Sequence, residues 1–193
     1  MSCSSRCVAP ERLTRRGAVA ALLFAAAAPA FAQDAAAPPA EVGSALPGAK
    51  LQGQGRLRFL GLHVYDALLW TVARAPDGEA QNGALALELR YARTLRGPLI
   101  AERSIEEMRR VGEFAEAEAQ RWLEAMKRLF PDVNAGDRIT GVHRPGEAAL
   151  FFVNGRAVGE VRDARFAQLF FGIWLSPRTS QPALRTQLLG LAQ

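Results

Sequence analysis

Few side chains in this 193-residue chain are of a type and spacing that could do chemistry. His63 and His143 lie far apart, with no acidic cluster beside either at ligand spacing, which is weak ground for a metal centre. No Gly-x-Ser-x-Gly elbow, P-loop, His-Glu-x-x-His or dinucleotide fingerprint occurs. Gly53-Gln-Gly55 is too short for a phosphate loop and stands before a strand pattern. Ser176 and Ser180 sit in a proline-marked turn without a histidine nearby, so a serine hydrolase is not supported. What remains is a set of hydrogen-bond donors on strand-like segments: the guanidinium groups of Arg56 and Arg58 and the phenols of Tyr65 and Tyr91. Cationic and hydroxyl donors that converge in an apolar cleft can stabilise an oxyanion. Taken one by one they have plainer readings. Arg56 and Arg58 fit a solvated strand face, or partners of acidic residues across a sheet; Tyr65 and Tyr91 fit strand packing. His63 reads as a core or edge histidine with a backbone partner, His143 as a strand-surface residue and Asp163 as a helix cap. Glu106-Glu107 followed by Arg109-Arg110 reads as an exposed, paired helix face.

The elements that must position these groups follow from periodicity. Arg56–Leu60 and Leu62–Trp70 read as two strands around Gly61, apolar on both faces and therefore covered on both sides. Residues 76–83 form a polar turn region. Leu85, Leu87, Leu89 and Tyr91 alternate with Glu88 and Arg90, the pattern of a half-buried strand. Ser104-Ile-Glu-Glu107 matches a capping box, which predicts a short helix to about Val111. A second helix is predicted from about Ala115 to Phe130, with Trp122, Leu123, Met126, Leu129 and Phe130 as its buried stripe and Pro131 as its stop. Ile139–Arg144 is a strand, and a hairpin joins Ala149–Val153 to Arg156–Val161 across Asn154-Gly155, the favoured type I′ pair. Phe166, Leu169, Phe170 and Ile173 then recur at i, i+3, i+4 and i+7 of an apolar helix. That helix spans about twelve residues between Asp163 and Pro177, short of the ~20 that cross a bilayer. Ser180 is expected to cap the last helix and Gly190 to end it. Three strands, two helices, three strands, two helices is an α+β order, not a parallel βαβ one.

The first 32 residues look like an export signal. Arg12, Arg15 and Arg16 precede the apolar run Ala18–Ala28, and Ala30-Phe31-Ala32 is a small-x-small cleavage site before Gln33. Thr14-Arg15-Arg16 also resembles a twin-arginine signal. The expected location is the periplasm. The segment holds four arginines and one glutamate, so the net charge of +5 falls to about +2 without it. No clustered basic face remains to suggest nucleic acid. Cys3 and Cys7 both precede the apolar run, which leaves no thiolate in the remainder for structural zinc. Residues 33–48, rich in Ala and Pro, read as a flexible linker, and residues 49–193 as one domain without a transmembrane segment.

The ordered set Asn154-Gly155-Arg156 through Phe166-Ala167, Gly172-Ile173-Trp174-Leu175, Thr179-Ser180 and Leu188-Leu189-Gly190 resembles the bacterial exported branch of the chalcone isomerase-like proteins. Leu51-Gln-Gly-Gln-Gly55, Val64-Tyr65-Asp66-Ala67, Phe130-Pro131 and Gly136-Asp137 carry the likeness through the first half. The resemblance covers about Leu51 to Gly190. It implies an antiparallel sheet packed by helices with an apolar cleft between them. Plant members include enzymes that close a chalcone to a flavanone, and non-catalytic relatives that bind fatty acids. By this resemblance Arg56 is the nearest match to the family's cationic residue on the first strand. Leu60 stands where the plant enzymes carry a threonine, and the segment 104–111 holds no counterpart of their catalytic tyrosine. One lost oxyanion donor typically costs ~2.7–4 kcal/mol of barrier.

The expected function is therefore an exported protein that binds a small apolar or amphipathic, fatty-acid-like ligand through Arg56, Arg58, Leu60, Tyr65 and Tyr91. Two alternatives stand beside it: an isomerase or intramolecular lyase on an unsaturated carbonyl compound, with Arg56 as its candidate catalytic residue, and a partner-binding envelope protein. No cofactor or metal is implied, and no protein partner is named by the sequence.

Overall fold

A computed structural model of the chain describes residues 37–74 and 80–191. The expected signal at 1–32, the beginning of the expected linker and the first half of the polar turn at 76–83 lie outside the described residues. The described residues fall in one compact unit.

The apolar alternation builds a single six-stranded antiparallel sheet in which every strand pairs with its neighbour in sequence, β1 to β6. The strands are β1 (Lys50–Phe59), β2 (Leu62–Thr71), β3 (Leu85–Tyr91), β4 (Arg138–Arg144), β5 (Ala148–Val153) and β6 (Arg156–Val161). Helices α2 (Gly97–Val111) and α3 (Glu116–Leu129) connect β3 to β4, and α4 (Ala164–Leu175) and α5 (Pro182–Leu189) follow β6. None of the described helices is long and apolar enough to cross a membrane.

Period-2 alternation assigns the two faces. Ala67, Leu69, Leu85, Leu87 and Leu89 meet α2–α5 in the main core, where Phe166, Phe170 and Phe171 of α4 are buried. Leu68, Trp70, Ala86 and Val142 point the other way and are covered by α1 (Ala40–Ala45) through Val42. This corrects the linker reading from Ala40 onward. The Ala/Pro-rich composition concealed a helical turn whose Val42 is fully buried and whose Glu41 accepts from Arg138 Nε and Nη2 at 3.1 Å and from Thr140 Oγ1 at 3.2 Å.

The same covered face corrects the half-buried reading of β3. Glu88 is fully buried, accepting from Trp70 Nε1 at 3.2 Å and from Arg90 Nε at 2.7 Å. His143 is likewise not on the strand surface. Its ring lies 5.1 Å from that of Phe171, and its Nδ1 is 2.8 Å from the carbonyl oxygen of Gly83. Burial pushes its pKa below the ordinary histidine value, against the opposing pull of that backbone hydrogen bond.

Gly53 and Gly55 explain why the first strand is glycine-rich: α5 lies directly on it. A Cβ on Gly53 would stand 2.3 Å from the carbonyl oxygen of Gln187, and one on Gly55 would stand 2.6 Å from Leu184 Cδ1. Asp163 caps α4 as expected, its carboxylate accepting from Phe166 N at 3.0 Å and also from Trp122 Nε1 at 2.8 Å. Gly190 ends α5 in the left-handed conformation. Ser180 caps nothing; Gln181 is the N-cap residue and Pro182 opens the helix, where its missing N–H is harmless.

Candidate ligand cavity

A cavity of about 370 Å³ opens between the helical face of the sheet and helices α2 and α4. Its floor is formed by Leu57 and Phe59 of β1, Tyr65 of β2, Leu89 and Tyr91 of β3 and Ile139 of β4. Ile100 of α2 and Phe170 and Ile173 of α4 close the sides, and Phe130, past the end of α3, contributes its ring. A volume of this size falls within the range of small-molecule sites. At ~30 Å³ for each water-sized group it has room for roughly a dozen methylenes.

The polar groups in the lining are few. Trp174 Nε1 donates to the Tyr65 hydroxyl at 2.9 Å. The Tyr65 and Tyr91 rings meet edge to face at 5.8 Å. Burial raises the Tyr65 phenol well above its ordinary pKa, although part of its surface opens to the cavity. The bond from Trp174 and the charge of Arg103 oppose that rise, and the charge of Glu107 adds to it. Burial also raises Tyr91, and Tyr65 adds to the effect. Both phenols are thus neutral hydroxyls at physiological pH, suited to hydrogen bonding and unsuited to act as bases.

Arg103 and Glu107 of α2 bring the charge to this wall. Arg103 Nη2 donates to Glu107 Oε1, and its Nη1 donates to Glu106 Oε2 at 2.8 Å. Arg110 Nε lies 3.5 Å from Glu107 Oε2. Arg103 is 57% exposed while Glu107 is 7% exposed, so the carboxylate is sunk in the wall and the guanidinium reaches outward.

Of the residues expected to line a cleft, Tyr65 and Tyr91 do so. Arg56, Arg58 and Leu60 do not. Leu57 and Phe59 take the inward positions of β1, so strand alternation sends Arg56 and Arg58 to the opposite face. Arg56 pairs there with Asp66, its register partner on β2, at 2.7 Å. Arg58 Nη1 donates to the carbonyl of Gly61 at 3.3 Å. Leu60 occupies the β1–β2 turn and is 85% exposed. His63 is also turned away from the cavity, with its Nε2 3.2 Å from Asp66 Oδ1.

Arg103 and Glu107 escape the sequence reading because Ser104–Glu107 has the pattern of a helix start. Ser104 is instead mid-helix, its hydroxyl donating to the carbonyl of Ile100 at 2.8 Å. Glu107 is accordingly buried and not part of an exposed face. The available signal was Gly97-Pro98, since proline favours the first helical turn. A helix counted from there puts Ile100, Arg103, Ser104 and Glu107 on one face.

A separate depression of about 560 Å³ lies where the α2–α3 turn meets α4. Its two arginines are committed to backbone carbonyls, Arg165 to Glu113 at 3.0 Å and Arg178 to Val111 at 3.5 Å. Among the described residues no group of three or more histidine, cysteine or carboxylate side chains could hold a metal ion.

A sheet carrying four of its helices, α2–α5, on one face around an apolar cavity defines a class of α+β protein. The sequence model of the chalcone isomerase-like family matches residues 40–190, and the chain belongs to that family. A Haemophilus influenzae protein named only as uncharacterized is 29% identical over 149 residues, covering 76% of this chain and 72% of its own. Among solved structures, the Arabidopsis thaliana fatty-acid binding protein AtFAP1 is similar, with a TM-score of 0.57 and 16% identity over 74% of this chain and 87% of that one. At that identity the likeness is one of fold.

Proposed function

We propose that this chain binds a small apolar or amphipathic ligand of fatty-acid type in the 370 Å³ cavity, and does not catalyse chalcone ring closure. The observation that carries the reading is the cavity itself: apolar walls whose polar groups include two guanidinium groups, one carboxylate, two neutral phenols and two serines. Interiors normally fill such space with side chains. Burying a dozen methylenes would contribute roughly 10 kcal/mol at ~0.8 kcal/mol each, against an association cost of ~4–15 kcal/mol. At the low end of that cost about 6 kcal/mol remains, a dissociation constant of roughly tens of micromolar. Family membership and the fold shared with a plant fatty-acid binding protein support the same reading. The head-group cation on this geometry is Arg103, in place of Arg56 or Arg58.

Native mass spectrometry of residues 34–193, followed by denaturing extraction, tests the proposal. The expected result is a stoichiometric fatty acid or comparable amphiphile, lost in Ile173→Trp, whose indole would occupy the cavity. A clean apo mass that added fatty acids do not change would reject it and favour the partner-binding alternative.

The second reading, an isomerase on an unsaturated carbonyl compound, rests on the same Arg103 and tyrosine hydroxyls acting on a developing oxyanion. It requires ring closure of a chalcone above background, abolished by Arg103→Leu.

Export to the periplasm belongs to this proposal. Its support is the arginine-led apolar run and the Ala30-Phe31-Ala32 site. Protein recovered from the periplasmic fraction should begin at Gln33. An intact Met1 on cytoplasmic protein would reject export.

A further inference from the structure

Among the described residues, two two-residue hairpin turns have positive φ at both central positions. The β5–β6 turn uses Asn154-Gly155, at φ 49° and 82°. The β1–β2 turn uses Leu60-Gly61, at φ 48° and 79°. Asparagine tolerates the left-handed region because its short side chain bonds locally, whereas a leucine there is strained. The fold thus builds one turn from the favoured pair and accepts strain in the other. Packing does not repay that strain, because Leu60 is 85% exposed. Its neighbours Phe59 and Leu62 are 60% and 53% exposed, so the tip as a whole presents apolar surface to solvent.

This tip stands at the mouth of the cavity. Phe59 belongs both to the tip and to the cavity lining, and Leu99 of α2, also exposed, is in that lining. Three exposed arginines stand on the segments that bear the mouth, and the carboxylate of the lining, Glu107, is paired with Arg103. Arg58 is held at the turn by its bond to the Gly61 carbonyl. Arg93, itself in the lining, and Arg96, the N-cap residue of α2, are exposed and make no ion pair among the described residues. The nearest carboxylate on the hairpin, Asp66, is taken by Arg56 and His63.

We infer that the mouth of the cavity docks on an anionic lipid bilayer, with Phe59, Leu60 and Leu62 entering the headgroup layer and Arg58, Arg93 and Arg96 meeting the lipid phosphates. An apolar tip inside a cationic collar matches the two attractions that hold a protein at such an interface. A second copy of this chain fits the same surface poorly, since a two-fold interface would set the arginine collars against each other. The inference does not depend on what the cavity holds, so failure of vesicle binding would leave the ligand reading standing, and the reverse.

The test is flotation of residues 34–193 with vesicles of phosphatidylcholine alone and of phosphatidylcholine mixed with phosphatidylglycerol. Binding should require the anionic lipid and weaken as salt is raised. Arg96→Gln should weaken it about fivefold, the equivalent of ~1 kcal/mol for one arginine near a charged surface. Leu60→Asn is the decisive variant. It should weaken binding at least tenfold while raising the thermal midpoint, because it installs the turn pair that the other hairpin already uses. Absence of binding to anionic vesicles, equal binding to neutral ones, or unchanged binding by Leu60→Asn would overturn the inference. So would a lower midpoint in Leu60→Asn, which would mean that the leucine serves the fold. Concentration-dependent dimerisation abolished by Leu60→Asn would assign the tip to self-association instead.

Discussion

Glu107→Gln should strengthen the binding of a carboxylate ligand, although it removes a charge from the candidate site. Arg103 spends its two terminal nitrogens on Glu106 and Glu107, so an incoming carboxylate must displace or share one of them. Exposed pairs are worth ~0.2–1 kcal/mol, and hydrogen bonds to charged groups ~1.5–3 kcal/mol. A pair with one partner at 57% and the other at 7% exposure falls between these, at ~1–2 kcal/mol. Glutamine keeps the helical shape and gives up the charge, so that amount becomes available to the ligand. The affinity for dodecanoate, a chain matched to the cavity, should rise about 5- to 30-fold at 1.4 kcal/mol per tenfold. Dodecanol, which brings no charge, should change less than about twofold by the same conversion. Displacement of a fluorescent fatty acid measures both, and a thermal melt checks that the variant is folded. Arg103→Leu should reverse the preference and favour the alcohol. If dodecanoate binds Glu107→Gln no better than the parent, or if acid and alcohol gain equally, Arg103 is not the head-group cation.

Other outcomes follow from the packing. Asp163→Ala should cost ~2–4 kcal/mol in urea denaturation, the sum of a lost helix cap and a buried indole N–H without a partner. In a Trp122→Phe background the same substitution should cost only the cap, ~1 kcal/mol; equal costs in both backgrounds would show no coupling. Gly53→Ala places a methyl against backbone carbonyls that cannot rotate away, and at ~1–3 kcal/mol or more should lower the thermal midpoint by several degrees. His143 is buried with its pKa depressed, so the unfolded chain binds the proton that the folded chain resists. Stability should therefore be complete above the unfolded value of ~6.5 and fall with decreasing pH, by at most ~1.4 kcal/mol per unit. A His143→Asn variant should lose that slope, and an unchanged slope would refute the assignment.

How much could be read from the sequence differs by element for physical reasons. The asparagine-glycine hairpin, the Asp163 cap and the phenylalanine face of α4 are local signals, complete within a few residues, and the structure contains each of them. So, from β1 onward, is the order of strands and helices. The site is another matter. Which face of β1 meets the cavity depends on register, and a shift of one residue exchanges Leu57 and Phe59 for Arg56 and Arg58. The sequence alone offered the arginines as functional because they carry charge; register gives the cavity to their apolar neighbours. Glu41, Glu88 and Glu107 were likewise unreadable. A glutamate near arginines has the composition of a surface whether it is buried or exposed, and only the covering helix decides.

The two features left over after packing is explained point in one direction. A core that packs the rings of Phe130, Phe166 and Phe171 around Phe151 and Phe170 leaves the end bounded by Tyr65, Tyr91 and Trp174 hollow. A hairpin that could have used asparagine holds a leucine in strain above the same opening. Each is a departure from the most stable arrangement available to this fold, and local consistency normally fails at functional sites. One departure alone has a bland explanation, a void or an awkward turn. Two that share Phe59, one as its outer wall and the other as its root, are more economically explained by a single passage between the cavity and whatever the tip touches. Leu60→Asn and Ile173→Trp separate the two ends of that passage: the first should leave equilibrium ligand affinity intact and slow its uptake from vesicles, and the second should abolish affinity and leave vesicle binding intact. If Leu60→Asn instead lowered the affinity for ligand in free solution as much as the uptake rate from vesicles, the tip would be part of the binding site and not its approach.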